Sequence, residues 1–332
     1  MIHVSGDRYS IVATLGPATD SDELIRGLRA AGADAFRLNT SHLSLQDVEK
    51  RLERLYRLWP PRDGGLTVVL DLQGSKWRLG RFPSFRLREG MLVELLRAPA
   101  STAAGELPVP HEDFFAAAPN SSAELLLDDA RCLLQVEACE ADRIRARVVR
   151  GGVIEQRKGI TFGRSAFRHE SLGSRDRAII ERALAPGPSQ PRIALSYVRD
   201  ATEMRTYRRL IGPSAYLIAK LERETAVEEA ADIAAWADEL WLCRGDLGAE
   251  MGLRRMAEVL HDFSLSLAGL TVPVLLAGQV FEHMTRSPDP TRAEICALYE
   301  ALRQGYRGVV LSDETAVGSY PVESCRAAAM FL

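Results

Sequence analysis

Charged and polar residues in this sequence gather at the ends of short apolar runs. The run ADAFRLN carries Arg37 and Asn39, with Ser41 two residues on and His42 after it. In an extended chain, residues two apart share a face. LTVVLDL ends on Asp71 and Leu72, and Lys76 and Arg78 follow; AYLIAKL leads into Lys220 and Glu222; ELWLC opens into Arg244, Gly245 and Asp246. Two further runs lead to Gly278 and Gln279, and to Ser312 and Glu314. These residue types suit phosphoryl transfer. A transferring phosphoryl group spreads negative charge over its oxygens and takes little covalent help, so catalysis rests on positioned cations. Arg37, Arg78 and Lys220 are the candidates. Glu222 and Asp246 suit a hard divalent cation, which commonly takes one or two carboxylates plus substrate oxygens. The N–H groups around Gly245 to Leu247 suit a substrate carboxylate, as backbone nests do. No G-x-x-x-x-G-K-[ST] occurs, so a Walker-type nucleotide loop is excluded.

Each residue also has a structural reading. Lys220 and Glu222 alone make an ion pair of a kind that arises for stability as well as for catalysis. Asp246 is a candidate helix cap, and His42 a loop histidine beside a helix start. Asp128 and Asp129 read as a hairpin turn, and Arg157 with Lys158 as a solvated basic pair. The case for chemistry rests on convergence, which depends on the elements that carry these residues.

Those elements alternate. Strands are expected at 9–15, 33–39, 66–72, 191–197, 215–221, 239–243, 272–277 and 307–312, with helices at 21–31, 44–59, 174–185 and 321–331 and others between. Eight strands and eight helices point to an α/β fold, a closed parallel (β/α)8 TIM barrel, whose active residues cluster where strands end. The third strand is separated from its helix by β-type runs broken by Gly and acidic turns, including AELLLDDARCLLQVEAC and DRIRARVVRGGVIEQRKGITF. The expected division is a barrel from 1–80 and 167–332, with a small inserted all-β, β-barrel-like domain at 81–166.

With 46% hydrophobic and 26% charged residues, the chain has the composition of a soluble globular protein. Its net charge of −3 gives no general drive toward nucleic acid or anionic membrane. No apolar stretch reaches the length of a membrane span, and the N-terminal residues lack the pattern of a signal peptide. The 5 cysteines, without C-x-x-C spacing, read as thiols in a reducing compartment. A cytoplasmic location is expected.

The assembled motifs resemble the pyruvate kinase family along nearly the whole chain. IVATLGPATDS, FRLNTSH, LIAKLERE, CRGDLGAE, PTRAE and LSDETAVGSYPVE are similar to successive family segments, in order. The resemblance makes the insertion a lid domain, with LLLDDARCLLQV and GGVIEQRKGI as lid segments. It implies that Lys220 stabilises the phosphoryl group and that Glu222 and Asp246 bind Mg2+ or Mn2+. Arg37 and Arg78 become phosphate contacts, and His42 and Lys158 face the nucleotide, ADP or ATP. Asn39, Ser41, Asp71 and the Leu72 carbonyl correspond to a monovalent-cation site.

Four departures qualify the resemblance. Lys76 stands where potassium-dependent members carry glutamate, so its ammonium is expected to hold Asp71 and K+ is expected not to be required. Gly278 replaces a threonine implicated in protonating the enolate, a general-acid role worth roughly 10²–10⁴ in rate. The sequence ends after the eighth helix, which implies no C-terminal regulatory domain or effector site. Asp313 replaces a glycine and reads as a loop charge. The leading expectation is a phosphotransferase acting between a nucleotide and phosphoenolpyruvate, pyruvate or a related small carboxylic acid. The alternatives are a metal-dependent pyruvate-enolate lyase or aldolase, and a catalytically reduced sensor or partner subunit. Neither nucleic acid nor membrane is an expected partner, and any homo-oligomer is expected to form through barrel surfaces.

Overall fold

A computed structural model describes residues 9–60, 65–74, 76–128, 131–163, 172–185 and 190–332, with the side chain of His42 outside the description. Asp129, the second acid of the expected hairpin turn, also lies outside the described residues. The chain forms two compact units. The first comprises Met1–Gly74, Leu172–Gly245 and Ala257–Leu332; the second comprises Ser75–Ser171 and Asp246–Met256.

In the first unit, eight parallel strands among the described residues close into a barrel. They are β1 (Ser10–Leu15), β2 (Ala35–Asn39), β3 (Thr67–Asp71), β4 (Arg192–Leu195), β5 (Leu217–Leu221), β6 (Glu239–Cys243), β7 (Val274–Ala277) and β8 (Gly308–Leu311). Each pairs with its neighbours in sequence, and β1 closes onto β8 with Ser10 opposite Gly308. Every strand sends at least one side chain into a common buried cluster: Val12, Ala35, Val69, Ala194, Ile218, Trp241, Leu275 and Val310 represent β1 through β8. The barrel interior is therefore packed with apolar side chains, as this fold requires.

Local chemistry sets the helix boundaries. The helix Asp22–Ala30 starts where the Ser21 side chain accepts from the Leu24 N–H, and it buries Ile25 and Leu28. Reciprocal capping boxes start Leu45–Leu58, from Ser44 and Asp47, and Arg292–Gln304, from Thr291 and Glu294. The helical layer is more divided than eight single helices. Glu224–Glu228 and Ala230–Ala234 are separate, as are Arg244–Met251 and Leu253–Ser266. Between the latter two, Gly252 has φ +79, a left-handed conformation that interrupts a right-handed helix.

The second unit is built on a six-stranded sheet ordered Ile160–Phe162, Glu124–Leu127, Cys132–Cys139, Arg143–Arg150, Leu92–Leu96, Glu106–Pro108. A further pair, Gly152–Ile154 with Phe85–Leu87, is antiparallel. The unit also contains the helix Glu112–Ala117, so it is not purely β. Phe114 on that helix stacks on Phe162 with centroids 4.7 Å apart, and Trp77 meets Phe114 edge-on at 5.3 Å. This aromatic core draws in residues on the N-terminal side of the expected 81–166. Ile160 N donates to Trp77 O and Leu79 N to Lys158 O, binding 77–79 to the strand at 158–160.

Candidate active site

In the first unit, the polar side chains at the ends of the strands form one connected network. Asp71, the last residue of β3, is 2% exposed. Its Oδ2 accepts from Arg37 Nε at 2.7 Å, faces Arg37 Nη2 at 2.5 Å and accepts from Lys220 Nζ at 3.1 Å. Its Oδ1 accepts from Ser196 Oγ at 3.0 Å. Arg37 Nη1 donates to Thr14 Oγ1 at 2.9 Å and Ser312 Oγ at 3.4 Å, which links β1, β2, β3 and the end of β8.

Lys220, on β5, is buried. Its Nζ donates to Ser196 Oγ at 2.9 Å and lies 2.9 Å from Glu222 Oε1, in addition to the Asp71 contact. The other carboxylate oxygen of Glu222 accepts from Tyr197 N at 2.6 Å. Burial pulls the Lys220 pKa down, but the charges of Asp71 and Glu222 outweigh it and hold the ammonium above its ordinary range. Burial pushes Asp71 up, and Lys220 and Arg37 more than reverse that, so its carboxyl lies below the usual range. Burial likewise opposes the charge on Arg37, yet Asp71 leaves its pKa raised. Lys220 is thus a permanent cation here, fit to neutralise charge and unfit to act as a base.

Other expected site residues in this unit have nearer duties. Asn39 Oδ1 accepts from Ser41 N at 3.1 Å, fixing the 3-10 turn Thr40–His42. Ser41 is buried, as is Leu72, whose N–H donates to Ala194 O. The Asp71 carbonyl accepts from Thr40 Oγ1 at 2.8 Å. Gly245 has nothing within 4 Å of where a Cβ would sit, so a side chain there would meet open space. Gly278 has φ +86, and a Cβ there would lie 3.1 Å from Gly245 N. Glu314 is buried with its carboxylate on Phe281 N and Ser312 N at 2.9 and 2.7 Å, holding two loops together; Asp313 is exposed.

The sequence reading missed several residues that build the site. Ser196 and Tyr197 are two of them. Arg244, named at its strand end but given no role, is a third: its Nε and Nη2 donate to Gly278 O at 2.9 and 2.7 Å, and Nη2 also reaches Gln279 O at 2.8 Å. Asp176 is a fourth, accepting from Gln73 N and Gly74 N and fixing the turn after β3. The signal available for Arg244 was its place beside Gly245 and Asp246; Ser196 and Asp176 carried none.

The remaining expected residues lie in the second unit. Lys76 Nζ donates to Asp246 Oδ1 at 2.9 Å, whereas the expectation had paired it with Asp71. Gly159 makes room for it, since a Cβ there would lie 2.4 Å from Lys76 Cε. Asp246 sits in the first turn of Arg244–Met251, where its charge also suits the helix dipole. Arg78 Nη1 donates to Arg157 O at 3.2 Å, opposite Gly159 in a short antiparallel bridge. Lys158 Nζ forms an ion pair with Asp128 at 2.9 Å, so the 157–158 pair is not simply a solvated basic face. Asp128 itself has φ +50, as in a turn. Arg78 and Lys158, both expected at phosphate, therefore lie on paired segments.

The donor chemistry fits a hard divalent cation, since Glu222 and Asp246 offer only carboxylate oxygens. Among the described residues no cluster of three or more His, Cys, Asp or Glu side chains is arranged to hold a metal ion. A set of one or two carboxylates completed by substrate is the pattern magnesium uses.

The pyruvate kinase barrel-domain family matches residues 7–325. A pyruvate kinase of Agrobacterium vitis is 34% identical over 320 residues, covering 96% of this chain and 66% of that protein. One of Aeropyrum pernix is 32% identical over 318 residues, covering 95% of the chain and 68% of that protein. A crystal structure of a pyruvate kinase from Cryptosporidium parvum superposes with a TM-score of 0.80 at 25% identity, covering 97% of this chain and 68% of that one. The chain thus spans about two thirds of the length of its relatives. The match over residues 7–325, on a closed eight-stranded parallel barrel, makes this chain a member of the pyruvate kinase family.

Proposed function

We propose that this chain is a phosphotransferase dependent on Mg2+ or Mn2+, acting between ADP or ATP and phosphoenolpyruvate, pyruvate or a related small carboxylic acid. The observation that carries this reading is the Lys220 ammonium, buried at the end of a barrel strand among Asp71, Ser196 and Glu222. Electrostatic stabilisation is the main help a phosphoryl group in flight can receive. Lys220 supplies it as a cation that stays charged, while Arg37 is held by Asp71 in a bidentate grip with its position set from three strands. A divalent cation at Glu222 and Asp246 would neutralise phosphoryl and enolate oxygens. The Gly245 N–H, on bare backbone, suits the substrate carboxylate. Arg78 and Lys158 are the contacts proposed for the nucleotide phosphates, with His42 as a further one.

We infer that K+ is dispensable. The charge of Asp71 is already met by Arg37 and Lys220, and Lys76 supplies a fixed ammonium to Asp246. Among the described residues no helix is long and apolar enough to cross a membrane; a cytoplasmic location and a homo-oligomer formed through barrel surfaces belong to the same reading.

The test is direct. Purified protein is incubated with Mg2+, ADP and phosphoenolpyruvate, with and without K+, and ATP and pyruvate are measured. ATP formation without K+, lost in Lys220→Met, is the expected result. Absence of both turnover and nucleotide binding would overturn the reading in favour of a sensor or partner subunit. Proton exchange into pyruvate without ATP formation would favour enolate chemistry of another class.

A further inference from the structure

The three hydrogens of the Lys220 ammonium meet three oxygens: Asp71 Oδ2 at 3.1 Å, Ser196 Oγ at 2.9 Å and Glu222 Oε1 at 2.9 Å. Two of these acceptors are charged carboxylates. The third is a neutral hydroxyl that passes its own hydrogen to Asp71 Oδ1 at 3.0 Å. Ser196 therefore closes a ring of polar contacts with Asp71 and Lys220, and its side chain is the one uncharged link. The turn that delivers it is strained. Tyr197 has φ +59, rare for a bulky L-residue. In that conformation Tyr197 N reaches Glu222 Oε2 at 2.6 Å. Gly74, at φ +66, has Ser196 O 2.3 Å from where its Cβ would lie, so only glycine lets the turn come this close.

We infer that the turn at Ser196 and Tyr197 is a positioning device for the lysine of the proposed reaction. The Ser196 hydroxyl orients the ammonium, and the Tyr197 N–H fixes the carboxylate beside it. Register explains why β4 carries this role: Ala194 lies opposite Asp71, and Leu195 opposite Ala219, which brings the next residue of each strand, Ser196 and Lys220, side by side. Being neutral, the hydroxyl orients the amine without adding a charge that competes for it, while Asp71 and Glu222 hold it from the other two sides. The inference rests on the phosphotransferase reading for its catalytic consequence, but the placement of the ammonium is measurable without turnover.

A lysine ammonium held by three acceptors exchanges its hydrogens slowly and gives a 1H–15N ammonium signal. One such signal, absent in Lys220→Met, is expected. In Ser196→Ala its hydrogens exchange faster by about tenfold or more, the scale of one lost bond to a charged donor. The same variant lowers kcat by about tenfold or more while KM for both substrates stays within about twofold, as for an interaction made in the transition state. Ser196→Thr, which keeps the hydroxyl, restores both. Tyr197→Val, which puts a β-branched residue at this positive φ, lowers melting temperature and kcat together. Unchanged ammonium exchange in Ser196→Ala, or an unchanged kcat in an active protein, overturns the inference. If the unaltered protein turns over nothing, the phosphotransferase reading falls, and the exchange measurement still decides the role of Ser196.

Discussion

At the scale of single residues, the site is a set of buried charges that stabilise one another. Lys220→Met removes a cation shared by Asp71 and Glu222. The expected outcome is loss of about 10²–10³ or more in kcat, the scale of removing one preorganised transition-state donor, read in a coupled assay. Asp71 gives a pH prediction with a definite sign. Its folded pKa lies below the ordinary value of 3.8, chiefly because Lys220 and Arg37 outweigh burial. Its contribution to stability is present above the unfolded value and is lost as pH falls through the folded one. Unfolding midpoints should therefore drop steeply below about pH 4, and the slope there should be shallower in Asp71→Asn. Equal slopes in urea titrations would contradict this. The same residues show what a sequence makes legible. Arg37, Asp71, Lys220 and Glu222 stood out because charges at strand ends are costly unless used. Ser196 did not, because a serine after an apolar run is ordinary until strand register sets it beside Lys220. Lys76 was legible as a cation, but its partner was not: the pairing with Asp246 joins positions whose proximity only the fold supplies.

At the scale of elements, the loop after β7 is governed by backbone geometry. Gly278 and Gln279 have φ +86 and +53, and Arg244 holds both of their carbonyls. Burial makes the Arg244 charge harder to keep, which marks how fully this guanidinium is given over to the loop. Replacing Gly278 by the threonine that the resemblance led one to expect is therefore not a simple restoration. A β-branched residue at positive φ is an outlier, and its Cβ would lie 3.1 Å from Gly245 N. Gly278→Thr should lose about 1–3 kcal/mol of stability, the range for a strained backbone residue, measured by denaturant unfolding. A gain in pyruvate formation without any loss of stability would mean that the loop readily adopts another path. Strand positions and the barrel were readable from alternating apolar runs, since each run needs a buried face. The conformation of this loop was not, because glycine in a sequence signals freedom without saying which freedom is used.

At the scale of the whole molecule, chain continuity and compactness part company. Asp246–Met256 follows β6 in sequence but groups with the second unit, where Lys76 grips Asp246 at 2.9 Å across 170 residues of chain. The segment at 76–79 is fastened in turn to 157–160, so Lys76, Arg78 and Lys158 rest on one small framework with an aromatic core. On the proposed reading, a fixed ammonium in that framework stands in for an added cation only while it is there. Lys76→Glu reverses the charge beside Asp246, and two adjacent acids that lack a fixed cation favour binding of a free one. The variant should turn over about tenfold or more slowly than the unaltered protein in K+-free buffer, a difference of about 1.4 kcal/mol, and KCl should restore much of the loss. The unaltered protein should respond to KCl no more than to an equal concentration of a tetraalkylammonium salt, which controls for screening. Strong K+ activation of the unaltered protein would show that Lys76, for all its proximity to Asp246, does not take the place of the ion.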